Sequence, residues 1–224
     1  MTSYVLERAW VDGAVRDDVL IEIEDGLITS VGTGEGTRLP GLTIPGLVND
    51  HSHAFHRALR GRTQRERGTF WTWREQMYDV AARLDPDSYR RLATAVFREM
   101  VAAGITTVGE FHYLHHQRGG TPYDDPNAMG HALVEAARDA GIRIALLDTC
   151  YLSGGFGAPV STAQLRYACG SAEAWASRVA QVRGSGGDQV VHGAAIHSVR
   201  AASTRAWPMA FGSSYGVPPR WWCR

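Results

Sequence analysis

Cysteine is scarce in this chain, and the three present, Cys150, Cys169 and Cys223, are odd in number and far apart. They offer neither a disulfide framework nor a Cys-x-x-Cys metal site, so a small oxidised scaffold is excluded and a reducing compartment, the cytoplasm, is expected. A charge excess of either sign is missing too. Lys plus Arg and Asp plus Glu both total 23, for a formal net charge of zero. A balanced surface gives no footing for nucleic acid or an anionic membrane as partner. No apolar run reaches the roughly 18–20 residues of a membrane span. The start, Met-Thr-Ser-Tyr-Val-Leu-Glu-Arg, lacks the basic stretch and apolar core of a secretion signal. What remains is ordinary globular material: 224 residues, 44% of them hydrophobic, enough for a real core.

Residues 4–33 carry the alternation of half-buried strands. Val19, Ile21 and Ile23 fall on one face, and Asp12-Gly13 and Asp25-Gly26 are hairpin turn signals, so a small β-meander is predicted. The stretch from Ala58 to Asp79, rich in Arg and aromatic residues, predicts a long ordered loop. Beyond it the pattern alternates between helix and strand. Asp85-Pro86-Asp87-Ser88 starts a helix whose Tyr89, Leu92, Val96 and Met100 recur at helical spacing before Gly104. A strand from Ile105 to Tyr113 follows, then a helix opened by Asp125-Pro126 and closed by Gly141. A third strand spans Ile142 to Tyr151, and Ser171 begins a helix with Trp175, Val179 and Val182 along one stripe. After the glycine-rich run 184–187, Gln189 to His197 reads as the last strand. Such alternation predicts a parallel sheet wrapped by helices.

The chemistry gathers near Thr43-Ile44-Pro45-Gly46-Leu47-Val48-Asn49-Asp50-His51-Ser52-His53. Ile44, Leu47 and Val48 read as a short buried strand with histidines at its end. Residues two apart in a strand point to the same side, so His51 and His53 aim both imidazoles at one point, as a bound Zn²⁺ requires. A pair of polar loop residues is the alternative; the preceding strand, the Pro-Gly and a third histidine at His56 favour the metal. Glu110, His112, His115 and His116 suggest a second metal site. Glu110 and His112 share a strand face while Tyr113 points to the other, and the four read instead as polar groups satisfied within the fold or at the surface. His131 in a helix and His192 early on a strand read as structural.

Four separated segments then act together: His-Ser-His-Ala-Phe-His-Arg (51–57), Phe-Trp-Thr-Trp-Arg-Glu-Gln-Met-Tyr (70–78), Glu-Phe-His-Tyr-Leu-His-His (110–116) and Ile-His-Ser-Val-Arg-Ala (196–201). In this order they resemble the formimidoylglutamate deiminases of the amidohydrolase superfamily, a likeness that runs from the N-terminus to about Ala202. The resemblance implies an α/β fold: the N-terminal half of a metal-dependent (β/α)₈ barrel, about four β/α units over residues 43–202, preceded by a small β-sandwich segment, residues 1–42. It implies one divalent metal ion, Zn²⁺, held by His51 and His53. The implied substrate is a small molecule, N-formimidoyl-L-glutamate, hydrolysed to N-formyl-L-glutamate and ammonia in histidine breakdown by a homodimer.

Arg74 and Arg200 fall where that family binds its substrate, and a guanidinium matches a planar carboxylate with two parallel hydrogen bonds. Tyr113 and His197 match further substrate contacts; His56 stands where the family has Gln, which puts affinity in doubt. Arg74 bracing its aromatic neighbours, Tyr113 filling the barrel mouth and His56 as a bystander to the metal are the structural alternatives. The family's remaining metal ligands and its acid–base residues come from strands five to eight, and a complete barrel takes about 250 residues. The chain by itself is therefore expected to be an inactive fragment. Residues 203–224 hold three of the seven Trp with neither helical nor strand period, and read as a frameshifted tail or as an extension. Competing functions are an amidohydrolase acting on an aromatic base and a non-catalytic, truncated metal binder.

Overall fold

The structure, a computed structural model, describes residues 1–63, 68–182 and 187–202. The 203–224 tail and most of the glycine-rich run lie outside the described residues. The chain divides into two compact units, residues 1–46 and residues from 47 onward.

The first unit is a four-stranded sheet. Strands β1 (Thr2–Val11), β2 (Ala14–Glu24), β3 (Leu27–Gly32) and β4 (Thr37–Thr43) are ordered β3-β2-β1-β4. The two hairpins are antiparallel, whereas β4 runs parallel to β1. Both predicted turns form: Asp12 and Gly13 have φ of 51° and 77°, Asp25 and Gly26 of 50° and 78°. Positive φ at both central residues matches the right-handed strand twist, and Asp-Gly tolerates it. Leu6, Ala9 and Val19 make the small buried cluster. Because β4 pairs with β1 as far as Thr43 opposite Ala9, the first unit ends at Gly46, four residues past the boundary set at residue 42.

The second unit is a parallel sheet, β5 (Leu47–Ser52), β6 (Ile105–His112), β7 (Arg143–Cys150) and β8 (Val190–Ile196), in sequential order. Helices α1 (Phe70–Ala81), α2 (Pro86–Ala102), α3 (Ala128–Ala140) and α4 (Ala172–Val182) lie between the strands in sequence. Asp85 caps α2, accepting from Ser88 N–H at 2.7 Å while the Ser88 hydroxyl bonds back to Asp85 N–H, with Pro86 at the first helical position. Gly141 closes α3 with φ of 74°, the left-handed cap glycine adopts without strain. Tyr89, Phe97, Met129, Leu133, Leu114 and Ile144 are almost completely buried in one core, each contributing about 1.5–3 kcal/mol if an aliphatic or Phe side chain. The expected β/α alternation is present with boundaries shifted by one or two residues.

Two local expectations fail. The aromatic stretch is not a loop: its second half is α1, and a 3₁₀ turn spans Ala54–Leu59. Thr69 and Thr72 cap α1 reciprocally, and Met77 and Ala81, one turn apart, bury its inner face. A Thr-x-x-Thr cap is weaker to the eye than Thr-x-x-Glu, and the arginines masked the helical period. Nor are Ile44, Leu47 and Val48 buried; they are 53%, 50% and 64% exposed. Ile44 lies outside β5, and β5 is the edge strand of the described sheet, so one of its flanks has no sheet neighbour among the described residues.

Candidate active site

The carboxyl ends of the four parallel strands converge on a cleft of about 380 Å³. His51 sits near the end of β5, and the first residue beyond β6, β7 and β8 is Tyr113, Tyr151 and His197 respectively. All three line the cleft, together with His51, His53 and His56, and Arg74 and Arg200 complete the set expected from sequence. The volume lies within the roughly 300–1,000 Å³ of small-molecule sites. Open α/β folds place their sites at these strand ends because the chain leaves the ladder there and side chains become free to face a ligand.

His51 Nε2 and His53 Nε2 are 3.1 Å apart with rings nearly perpendicular, at 89°. Both nitrogens are close enough together that they would hold one divalent ion between them. His53 Nδ1 lies 3.0 Å from the carbonyl of Phe111. A carbonyl only accepts, so Nδ1 carries the proton and Nε2 keeps its lone pair, the arrangement of a ligating histidine. Burial pushes the His53 pKa down to about 4, partly offset by the Phe111 carbonyl and reinforced by His51. The imidazole is therefore neutral near pH 7, and the pair fits a divalent ion.

His56 Nε2 meets the Tyr113 hydroxyl at 2.9 Å, and its ring packs edge-on to Trp73 at 5.3 Å. Burial, then the nearby His53 and His51, lower its pKa to about 3. His197 packs against Tyr151 at 4.5 Å between ring centres and is held down to about 4, by burial first and then by His53 and Arg200. Burial keeps the Tyr113 hydroxyl protonated far above its ordinary range. Three uncharged imidazoles and a phenol thus share one side of the cleft.

Arg74 comes from α1. Its Nε donates to the Tyr78 hydroxyl at 2.7 Å, one turn on, and its guanidinium lies 5.2 Å from the Tyr78 ring and 5.6 Å from the Trp71 ring. No other hydrogen bond to this guanidinium occurs among the described residues, which leaves both terminal nitrogens for a ligand. Arg200 is exposed at the cleft rim, its carbonyl accepting from Ser153 at 2.6 Å. Sequence reasoning missed Tyr78, Tyr151 and Gln164, whose amide donates to the Tyr151 hydroxyl at 2.8 Å. The signal for Tyr151 was available: it stands one residue past its strand, as Tyr113 and His197 do.

The four polar residues read as satisfied are only half so. Glu110, His115 and His116 each use one atom, but Glu110 Oε2 and the Nδ1 atoms of His112, His115 and His116 are buried without a hydrogen-bond partner. A histidine that donates from Nε2 to a carbonyl leaves Nδ1 needing a donor, and the strand ends supply none. Burial raises the Glu110 pKa to about 7 despite hydrogen bonds from Ser52 and Ala54. Among the described residues His112, His115 and Asp148 place ligand-capable atoms within 4.8 Å of one another, the spacing of a metal site. Asp148 is already taken: Arg178 donates to both its oxygens at 2.7 Å, Trp175 Nε1 donates at 2.9 Å, and Arg178 Nη2 lies 3.3 Å from His115 Nε2. A further cation there would face a buried guanidinium, so the group acts as an ion pair fastening α4 to β7.

The family model described as "Amidohydrolase family" matches residues 42–204. Formimidoylglutamate deiminase of Pseudomonas aeruginosa is 37% identical over 215 residues, covering 91% of this chain and 47% of that protein. A crystal structure of an amidohydrolase from Brucella melitensis has a TM-score of 0.87 and 31% identity over 94% of this chain and 49% of that one. Atrazine chlorohydrolase from Arthrobacter aurescens, solved in complex with zinc, shares the fold, with a TM-score of 0.76 at 23% identity over 97% of this chain and 51% of its own. The chain spans about half the length of the curated relatives it matches. No helix among the described residues is long and apolar enough to cross a membrane.

Proposed function

The chain belongs to the amidohydrolase family, and on that footing we propose that it carries the metal-binding and carboxylate-binding side of a hydrolase that deiminates N-formimidoyl-L-glutamate. Water adds its oxygen to the amidine carbon, the bond to the terminal nitrogen breaks, and N-formyl-L-glutamate and ammonia leave. The observation that carries the reading is that His51, His53, Arg74, Tyr113, His197 and Arg200, from segments up to 149 residues apart (200 − 51 = 149), line a single cleft. The named relative at 37% identity supports the choice of substrate.

His51 and His53 would hold the divalent ion, Zn²⁺ in this reading, and such an ion supplies Lewis-acid activation that brings the pKa of water from 15.7 toward about 7. The terminal nitrogens of Arg74 and the guanidinium of Arg200 take the two carboxylates, bidentate pairs that also fix the amidine's position. Tyr113, a phenol that does not ionise, and neutral His56 share one proton-bearing contact and offer hydrogen bonds without adding charge. Neutral His197 beside the cleft can accept a proton or a hydrogen bond from the substrate. Free thiols at Cys150 and Cys169 suit the reducing cytoplasm.

A second reading, an aromatic-base deaminase, is favoured by the ring-lined wall of Phe70, Trp73, Tyr78, Tyr151 and Tyr167. Calorimetric binding to the zinc-loaded chain separates the two. N-formimidoyl-L-glutamate should bind and guanine should not, and Arg74→Ala should weaken binding at least about a hundredfold by removing two charge-assisted hydrogen bonds. Equal affinity of wild type and Arg74→Ala overturns the carboxylate role. Zinc content and ammonia release from one preparation distinguish a hydrolase from a non-catalytic metal binder.

A further inference from the structure

The turn that presents His53 has no cap of its own. His53 precedes the 3₁₀ turn Ala54–Leu59, and its side chain makes no capping hydrogen bond. The orphan donor there, the buried Ala54 N–H, goes instead to Glu110 Oε1 at 2.7 Å. Ser52, the last residue of β5, is paired with the same Glu110 in the strand ladder. One residue on β6, with no solvent exposure, therefore holds the residues on both sides of His53.

The preceding residue matters for the other histidine. The β5–β6 ladder loses register between Asn49 and Ser52, so Asp50 and His51 stand out of it. At that place a Cβ on Gly109 would lie 2.6 Å from the Asp50 carbonyl oxygen. Only glycine lets β5 close onto β6 where His51 leaves the ladder. Glu110 then fixes where the chain goes next, through its bond to Ala54 N–H.

We propose that Gly109-Glu110 is the positioning element that aims His51 and His53 at a shared cation, with Glu110 acting through the Ser52–Ala54 backbone. This rests on the metal reading above. Glu110 does not line the cleft and is a positioning residue.

The test uses the whole chain as wild type, Glu110→Ala, Glu110→Gln and Gly109→Ala. Zinc affinity is read by competition with a chromophoric chelator, site geometry by the absorption of bound Co²⁺, and global stability by thermal unfolding. Glu110→Ala should lose about 10–100-fold in zinc affinity, the usual loss when a supporting group behind a ligand is removed. Glu110→Gln keeps an acceptor for Ala54 and should recover most of it, while Gly109→Ala should resemble Glu110→Ala. Wild-type zinc affinity and Co²⁺ spectrum in Glu110→Ala, with only the unfolding midpoint moved, overturns the inference. If Glu110→Ala does not fold, the contrast between Glu110→Gln and Gly109→Ala decides: equal affinities overturn it. If the wild type binds no zinc, the metal reading falls by itself. Imidazole ¹⁵N shifts of the metal-free protein then still test the aim, since unchanged His51 and His53 signals in Gly109→Ala overturn it.

Discussion

Arg178→Ala should be among the most costly substitutions in the second unit. Arg178 and Asp148 are 8% and 5% exposed and joined by two hydrogen bonds of 2.7 Å. Removing the guanidinium leaves a buried carboxylate with Trp175 Nε1 as its hydrogen-bond donor and His115 3.9 Å away, and breaking such a pair costs about 3–5 kcal/mol. The electrostatic share can be worked separately. Burial alone would raise the Asp148 pKa, yet His115 and Arg178 outweigh it and hold it at about 2 against an ordinary 3.8. At 1.36 kcal/mol per pH unit that depression corresponds to about 2 kcal/mol of stability at pH 7. The sign follows from the lowered folded pKa: the contribution is present above the unfolded value of 3.8 and is lost as pH falls through about 2. Without Arg178 less offsets burial and the Asp148 pKa rises, so the mutant gains relative stability on acidification. Urea unfolding at pH 7 and pH 4 measures both effects through the midpoint at constant slope. The expected result is a large deficit at pH 7 that narrows at pH 4. A paired replacement, Arg178→Met with Asp148→Leu, should be far milder than Arg178→Ala, since it removes both charges together. A deficit below about 1 kcal/mol at pH 7, the range of a surface pair, would refute the account of this network as a buried clamp.

Tyr78→Phe keeps the ring under the Arg74 guanidinium but deletes the hydroxyl that holds Nε. Substrate affinity should fall about tenfold, the worth of one hydrogen bond to a charged group, with zinc affinity unchanged, both read by titration calorimetry. His56→Gln exchanges a neutral imidazole, its pKa near 3, for a neutral amide. Substrate affinity should change by less than about tenfold, and its pH dependence between 5 and 8 should match wild type; a new inflection in either protein would show that His56 carries charge there.

How much of this was legible depended on whether the determinant was local. The two Asp-Gly turns, the Asp85 cap and the Gly141 cap are written in adjacent residues, and they form as expected. The barrel alternation was legible because α2, α3 and α4 each keep an apolar stripe. Helix α1 was not, since Trp, Tyr and Arg on both faces blur its period and its buried side rests on Met77 and Ala81 alone. The candidate site was half legible. His51 and His53 follow from period-two geometry, whereas Arg74, Tyr113, His197 and Arg200 came from resemblance, with the strand-end position as added support for Tyr113 and His197. Nothing in the sequence reveals that Arg178 sits on Asp148 across 30 residues, or that Glu110 reaches back to Ala54 across 56. Side-chain pairing at that separation is a product of the fold.

The carbonyl of Phe111 shows how the sheet itself prepares the histidines. In a regular parallel ladder such a carbonyl is consumed by an N–H of the neighbouring strand. Here the β5–β6 pairing ends at Ser52 opposite Glu110, so no β5 amide is paired in register with the next position on β6. The acceptor is taken by His53 Nδ1, which thereby gains a fixed tautomer and ring orientation. A ladder that continued two residues further would have used the carbonyl and held His53 as an ordinary strand residue. Ending the pairing early converts a backbone group into a support for a ligating side chain. The same reasoning locates the other contributors one step past β6, β7 and β8, where the ladder stops and rigid strands still hold the chain. Arg74 alone among the expected residues stands on an α-helix, and a side-chain tether, Tyr78, keeps its guanidinium in place.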